Sequence, residues 1–174
     1  MADKGSLILV DEEVLTGATA SVSLRGIDTS YDVYLAIINV IPTTDNIDFY
    51  VRVTKGGTVQ TDSEYDVTAL RMRADTASFN DDNWANQTYW GGWSACGNGE
   101  EGIHQSIWLY GFPDAQYSFI NDDSLHVDST INLNAIVGGY VHTVASASDG
   151  INFQLESADT FVVGSEFKLY GLKK

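Results

Sequence analysis

A two-residue period of apolar and polar side chains constrains this chain more than any other feature. Ile47–Thr54 sets Ile47, Phe49, Val51 and Val53 against Asp48, Tyr50, Arg52 and Thr54. Gly150–Glu156 repeats the pattern, with Ile151, Phe153 and Leu155 opposite Asn152, Gln154 and Glu156. Near the C-terminal end Phe167 and Leu169 oppose Glu166, Lys168 and Tyr170. Successive strand residues point to opposite sheet faces, so this period is that of strands with one face in a core. Tyr31–Ile41 is apolar on both faces, as a central strand covered on both sides would be.

Further strand signals fall at Ser6–Leu15, Thr19–Arg25, Glu64–Arg73, Gln87–Ala95, Gly102–Phe112, Ala115–Ile120, Thr130–Val137, Gly139–Ala145 and Phe161–Leu172. No long amphipathic helix interrupts them. About ten to twelve short strands predict an all-β fold, a two-sheet antiparallel sandwich, jelly-roll-like, in one domain over residues 1–174. The turn at Pro42–Asn46 predicts an antiparallel hairpin of Tyr31–Ile41 with Ile47–Thr54. The polar stretch Ala74–Asn86 reads as a loop. The C-terminal strand is expected to pair with a strand distant in sequence.

A chain of 174 residues is long enough to bury a sandwich core without disulfides, and Cys96, the only cysteine, excludes an intrachain bridge. That fits synthesis in a reducing cytoplasm. The net charge of −15, from 24 acidic and 9 basic residues, repels phosphate backbones and anionic lipid. Direct nucleic-acid binding and membrane binding are therefore not expected. The N-terminus lacks a basic region, and Leu7–Val10 is too short for a signal-peptide core, so no signal peptide is expected.

Chemical motifs are scarce. His104, His126 and His142 stand apart, with no His-Glu-x-x-His, Cys-x-x-Cys or Gly-x-Ser-x-Gly pattern. Asp45-Asn46 with Asp48, Asp81-Asp82-Asn83 and Asn121-Asp122-Asp123 read as turn residues rather than as a spaced Ca²⁺ loop. No catalytic residue, metal or cofactor is assigned. The sharpest local anomaly is aromatic: Trp84, Tyr89, Trp90 and Trp93 crowd around Gly91-Gly92, and Trp108 and Tyr110 follow. These six are candidates for interface anchors, for a platform stacking on sugar rings, or for plain core. Trp90 and Trp93 cannot both face one side of a regular strand, so one of them is expected at a bend or outside the core.

Two segments carry a family likeness. The first comprises Ile27-Asp28-Thr29-Ser30-Tyr31-Asp32-Val33-Tyr34-Leu35, Asn39-Val40-Ile41-Pro42-Thr43-Thr44-Asp45 and Phe49-Tyr50-Val51-Arg52-Val53; the second is Gly164–Lys173, ending Leu169-Tyr170-Gly171-Leu172-Lys173. Together they resemble a bacteriophage virion structural protein family found in phages of aquatic bacteria. Residues 74–127, roughly, lie outside the likeness. The resemblance implies a non-enzymatic, jelly-roll-like virion component: a head decoration (cement) protein, a capsid fibre or a tail component. It further implies major capsid protein or other virion subunits as partners, a homotrimer, and location in the virion. The alternative is a host-recognition module on a tail or fibre, binding cell-surface glycans through the same aromatics.

Overall fold

A computed structural model describes residues 5–77, 79–98 and 102–173, with backbone only for 92–95. Its strands are β1 (Leu7–Val14), β2 (Ser21–Arg25), β3 (Val33–Val40), β4 (Ile47–Lys55), β5 (Thr58–Val59), β6 (Tyr65–Arg73) and β7 (Phe79–Gln87). Then follow β8 (Trp90–Cys96), β9 (Ile103–Tyr110), β10 (Ser118–Val127), β11 (Leu133–His142), β12 (Gly150–Leu155) and β13 (Glu166–Leu172). The helical content among described residues is one 3-10 turn at Glu156–Ala158.

The strands form two antiparallel layers, an all-β sandwich with jelly-roll-like wrapping. The larger sheet has eight strands in the order β1-β13-β3-β9-β10-β11-β6-β7; the smaller has β2-β12-β4-β5, and β8 shares the outer edge of β4 with β5. Strand β13 is inserted between β1 and β3, with Leu169 opposite Asp11 on one side and Ala36 on the other. The expected long-range pairing of the C-terminal strand is thus present twice over.

The alternation sets the core. Val22, Leu24, Phe49, Val51, Val53, Ile151, Phe153, Leu155, Phe167 and Leu169 are buried. Four phenylalanines clasp the layers together: Phe161 meets Phe167 edge-on at 5.2 Å between centroids, Phe153 lies 5.4 Å from Phe167, and Phe49 stacks on Phe153 at 6.0 Å. Each such aromatic contact adds about 0.5–1.5 kcal/mol beyond the burial of its area.

The segments that carry the family likeness interlock. Gly171 leaves the space in which the Tyr31 ring lies, since a Cβ there would collide with that ring. Tyr34 Oη donates to the Asp28 carbonyl at 2.7 Å and accepts from the Asp28 amide at 2.9 Å, pinning the entry to β3.

Four sequence expectations are corrected. β3 and β4 do not form a hairpin: β3 pairs with β13 and β9, and β4 with β12, β5 and β8. Alternation tells which side of a strand faces the core, not which strand lies beside it, and the Pro42 turn carries the chain across to the other layer. Ala74–Asn86 is not all loop, because Phe79–Gln87 forms edge strand β7 along β6. Its Asn and Asp residues are tolerated because the strand has only one partner and largely faces water. Asn121-Asp122-Asp123 lies in mid-strand in β10, and Gly138-Gly139 runs unbroken through β11.

Candidate docking surface

The six aromatics do not share one surface. Trp90 belongs to the core: 1% exposed, it meets Tyr65 edge-on at 5.1 Å and lies 6.2 Å from Phe112. It is withdrawn from any interface. Tyr89 stacks on Tyr50 at 3.9 Å on the outward side of the small sheet. Trp84 sits on edge strand β7 opposite Val67, 38% exposed. Trp93 has its backbone opposite Phe49, and its side chain lies outside the described residues. Among the five whose side chains are described, only Trp108 and Tyr110 share a face, the outward one of β9 in the large sheet.

That face is the unusual one, because the strands that follow β9 are inverted. In β10 four of the five inward positions are polar (Ser118, Asp122, Ser124, His126), with Ile120 the exception, and two of the outward ones are Phe119 and Leu125. Phe119 and Leu125 are each 49% exposed, whereas Asp122 is 1%. Leu133 and Val137 of β11, Leu70 of β6 and Phe79 of β7 extend the same exposed surface. Register makes it continuous: Asp123 lies between Ser106 and Val137, and Val137 lies opposite Leu70.

Three shallow depressions mark this face. One of about 410 Å³ is bordered by Ile37, His104, Asp123, Leu125 and Val137. Another of about 330 Å³ lies between Thr68, Phe119, Gly139 and Val141, and a third of about 490 Å³ lies between Leu70, Asp81, Asn121 and Gly139. Gly139 forms the shared floor of the latter two. A Cβ built there meets nothing nearer than the Thr68 methyl at 4.0 Å.

Behind the apolar face is a buried polar layer. Gln105 Nε2 donates to Asp122 Oδ2 at 2.9 Å, and Tyr140 Oη donates to the same oxygen at 3.4 Å. Burial pushes the Asp122 carboxyl up to about 8, so it is neutral at pH 7. Burial likewise pushes His126 down to about 4. Gln105 Oε1, Asp122 Oδ1, Ser124 Oγ and His126 Nδ1 have no hydrogen-bond partner among the described residues. Asp128 closes the far end: burial opposes its ionisation, yet bonds from Thr130, Asn132 and Asn134 hold it down at about 2, with Arg73 Nη2 3.1 Å away.

The other candidate groups do not converge. His104 Nδ1 donates to Asn39 Oδ1 at 2.9 Å on the outward face; His142 is buried beside Glu64. The Cys96 thiol is buried and pushed up to about 12, the opposite of an activated nucleophile. In β7 and β10 the paired acids point to opposite faces, Asp81 and Asp123 outward, Asp82 and Asp122 inward. Among the described residues no three His, Cys, Asp or Glu side chains are placed to hold a metal ion.

No protein-family model matches the chain, and no curated protein matches it. Two solved structures are remotely similar. A toad ovary galectin in complex with thio-digalactose is 10% identical, with 87% of this chain and 99% of that chain covered and a TM-score of 0.33. A single mutant of congerin II is 11% identical, with 78% and 99% covered and a TM-score of 0.27. The two-layer architecture is read from the strand ladders themselves, and these likenesses add no correspondence between residues.

Sequence reasoning missed Phe119, Leu125, Leu133, Val137, Leu70 and Phe79. Their signal was blurred, because β10 and β11 break the alternation that β12 keeps: Phe119-Ile120 and Ile136-Val137 are adjacent apolar pairs, and Asn121-Asp122-Asp123 is a polar run. The pattern does not say which of its two sides meets water.

Proposed function

We propose that this chain is a non-enzymatic structural protein of a bacteriophage virion, a head decoration protein that attaches to capsid subunits through the outward face of its large sheet. The observation that carries the reading is the exposed apolar strip centred on Phe119, Leu125 and Val137. Soluble monomers rarely leave such an expanse open, and a surface of this kind marks a place of contact. The assignment to a virion rests on the likeness of residues 27–53 and 164–173 to virion proteins. The homotrimer and the major capsid protein partner belong to the same proposal.

Attachment would come from burying the aliphatic and aromatic side chains at the centre of the strip while polar groups stay at its rim. Adding the purified chain to particles that lack it, and measuring bound copies, tests this. Leu125→Asp with Val137→Asp is expected to abolish occupancy; undiminished occupancy overturns the assignment.

A glycan-binding host-recognition module is the second reading. It is favoured by Trp108, whose outward neighbours across the ladder are Asn121 and Leu35, with Ser106 and Tyr110 next along its own strand. An aromatic ring beside hydrogen-bonding side chains is the arrangement a sugar needs. Saturable sugar binding that is lost in Trp108→Ala and kept in Leu125→Asp would select this reading.

A further inference from the structure

The charges that stud the apolar strip specify its occupant. From β9 to β7 the outward side chains include Asp66, Asp81 and Asp123, and no lysine or arginine. Among the described residues none of the three carboxylates makes an ion pair; Asp66 accepts from the Asn86 amide at 2.9 Å and Asp81 from Asn83 Nδ2 at 3.3 Å, which leaves their charge uncompensated. His104 is the only outward group on these strands that can become cationic. The nearest lysine on the same face, Lys168 of β13, is held by Glu166 at 2.8 Å. Arg71 and Arg73 of β6 belong to the inward side, where Arg73 meets Asp128.

Size agrees with a specific contact. Five strands at ~4.8 Å spacing and ~3.4 Å per residue give the strip a plan area on the order of 500–600 Å². One partner's share of a standard interface is about 800 Å² of accessible surface, which a corrugated face of that plan supplies.

We propose, resting on the docking reading above, that this face receives a protein surface with an apolar ridge flanked by lysines or arginines, and not a second copy of itself. Face-to-face self-pairing would gather six carboxylates in a dry interface without a cation. A partner with basic flanks instead meets each carboxylate with an opposite charge as the ridge fills the depressions. Homotrimers of this chain would then use surfaces other than this one.

The test uses the full chain and an amphipathic helical peptide of leucine and lysine, with a leucine–glutamate peptide as comparator. The lysine peptide is expected to bind, shifting the methyl NMR signals of Leu70, Leu125 and Val137. Replacing Asp66, Asp81 and Asp123 together by Asn is expected to weaken binding at least about tenfold. Gly139→Tyr, which fills the shared floor without changing charge, should do the same. Removing three charges elsewhere, through Asp48→Asn, Asp62→Asn and Glu156→Gln, should change it less than about twofold.

Equal binding of the glutamate peptide, equal loss in both triple variants, or self-association of the chain reversed by Gly139→Tyr would overturn the proposal. The virion reading is separated by measuring the Asn variant on particles. Retained occupancy there sinks the basic-partner inference and leaves the virion role standing. Peptide binding by a chain that never attaches to particles does the reverse.

Discussion

On the outward side of the small sheet the polar side chains bond to one another; on the outward side of the large sheet the apolar ones are left in water. Asn152 Nδ2 donates to Ser21 Oγ at 2.8 Å and Ser23 Oγ at 2.9 Å, spanning β12 and β2. Arg52 Nη1 donates to Gln154 Oε1 and its Nε to the Thr88 carbonyl, both at 2.8 Å, while its guanidinium lies 5.6 Å from the Tyr50 ring and 5.7 Å from that of Tyr89. Thr54 Oγ1 donates to Asp149 Oδ1 at 2.7 Å. Most polar groups of that face are thus paired within the chain, Asn152 Oδ1 excepted. The large sheet offers Phe119, Leu125, Leu133 and Val137 with no covering element among the described residues. The lesson is that hydrophobicity alone does not identify a contact surface, since the small sheet's face carries two tyrosines as well. What distinguishes the docking face is apolar side chains left about half exposed, since polar groups bond on both faces: Thr68 Oγ1 donates to Asn83 Oδ1 at 2.8 Å and Asn121 Nδ2 to the Gly138 carbonyl at 3.2 Å.

Leu125→Asp with Val137→Asp should cut docking about 100-fold, near 3 kcal/mol, yet leave the melting temperature nearly unchanged because both positions are half exposed. A matching loss of stability would show the strip to be structural.

The next effect concerns what lies beneath the strip. Asp122 ionises near 3.8 when unfolded and near 8 in the fold, so over that window the folded state holds a proton that the unfolded chain has lost. Its contribution therefore falls as pH rises through the window. His126 runs the other way: near 6.5 unfolded and near 4 folded, it costs stability as pH falls through that range. Between pH of about 6.5 and about 8 the Asp122 effect is not opposed by His126, and urea unfolding should show a loss of about 2 kcal/mol that Asp122→Asn removes. A flat wild-type profile in that interval would contradict the buried neutral acid.

Arg52→Met is expected to cost about 1 kcal/mol by chemical denaturation, since it leaves Gln154 and the Thr88 carbonyl without their donor, and to leave docking unaltered. Any docking defect would mean that the small-sheet face also takes part. The smallest effect is that of Gly139→Tyr on folding, within about 0.5 kcal/mol, because its side chain projects into open space.

The sandwich was legible where alternation pointed inward as usual. β2, β4, β12 and β13 place their apolar residues where the period says. β10 shows the limit: Phe119 and Leu125 alternate with Asp122 and His126, and the local pattern reads equally well with either side inward. Only the surrounding strands settle it. β7 was illegible for a different reason, because Asn80, Asp81, Asp82 and Asn83 carry turn propensity that pairing with β6 overrides. Strand order was not legible at all, since β3 and β4 adjoin in sequence and lie in different layers. Among the aromatics, Trp108 and Tyr110 fall on the candidate face, while Trp90 went to the core through its contacts with Tyr65 and Phe112.

The placement of β13 between β1 and β3 also dictates an order of events. Among the described residues β1 has β13 as its only ladder partner in the large sheet, and β13 follows every other described strand in the chain. Until β13 emerges Leu7–Val14 lacks its ladder partner and has only side contacts with β2, such as the Arg25 amide donating to Asp11 Oδ2 at 2.7 Å, and the β3 edge that β13 will occupy stays open. Closure brings together residues at opposite ends of the chain, the kind of contact that makes folding slow and leaves strand edges vulnerable to the wrong partner while they wait. The Tyr31 ring settling over Gly171 is then a late event, which completes both the β1 and the β3 ladders at once.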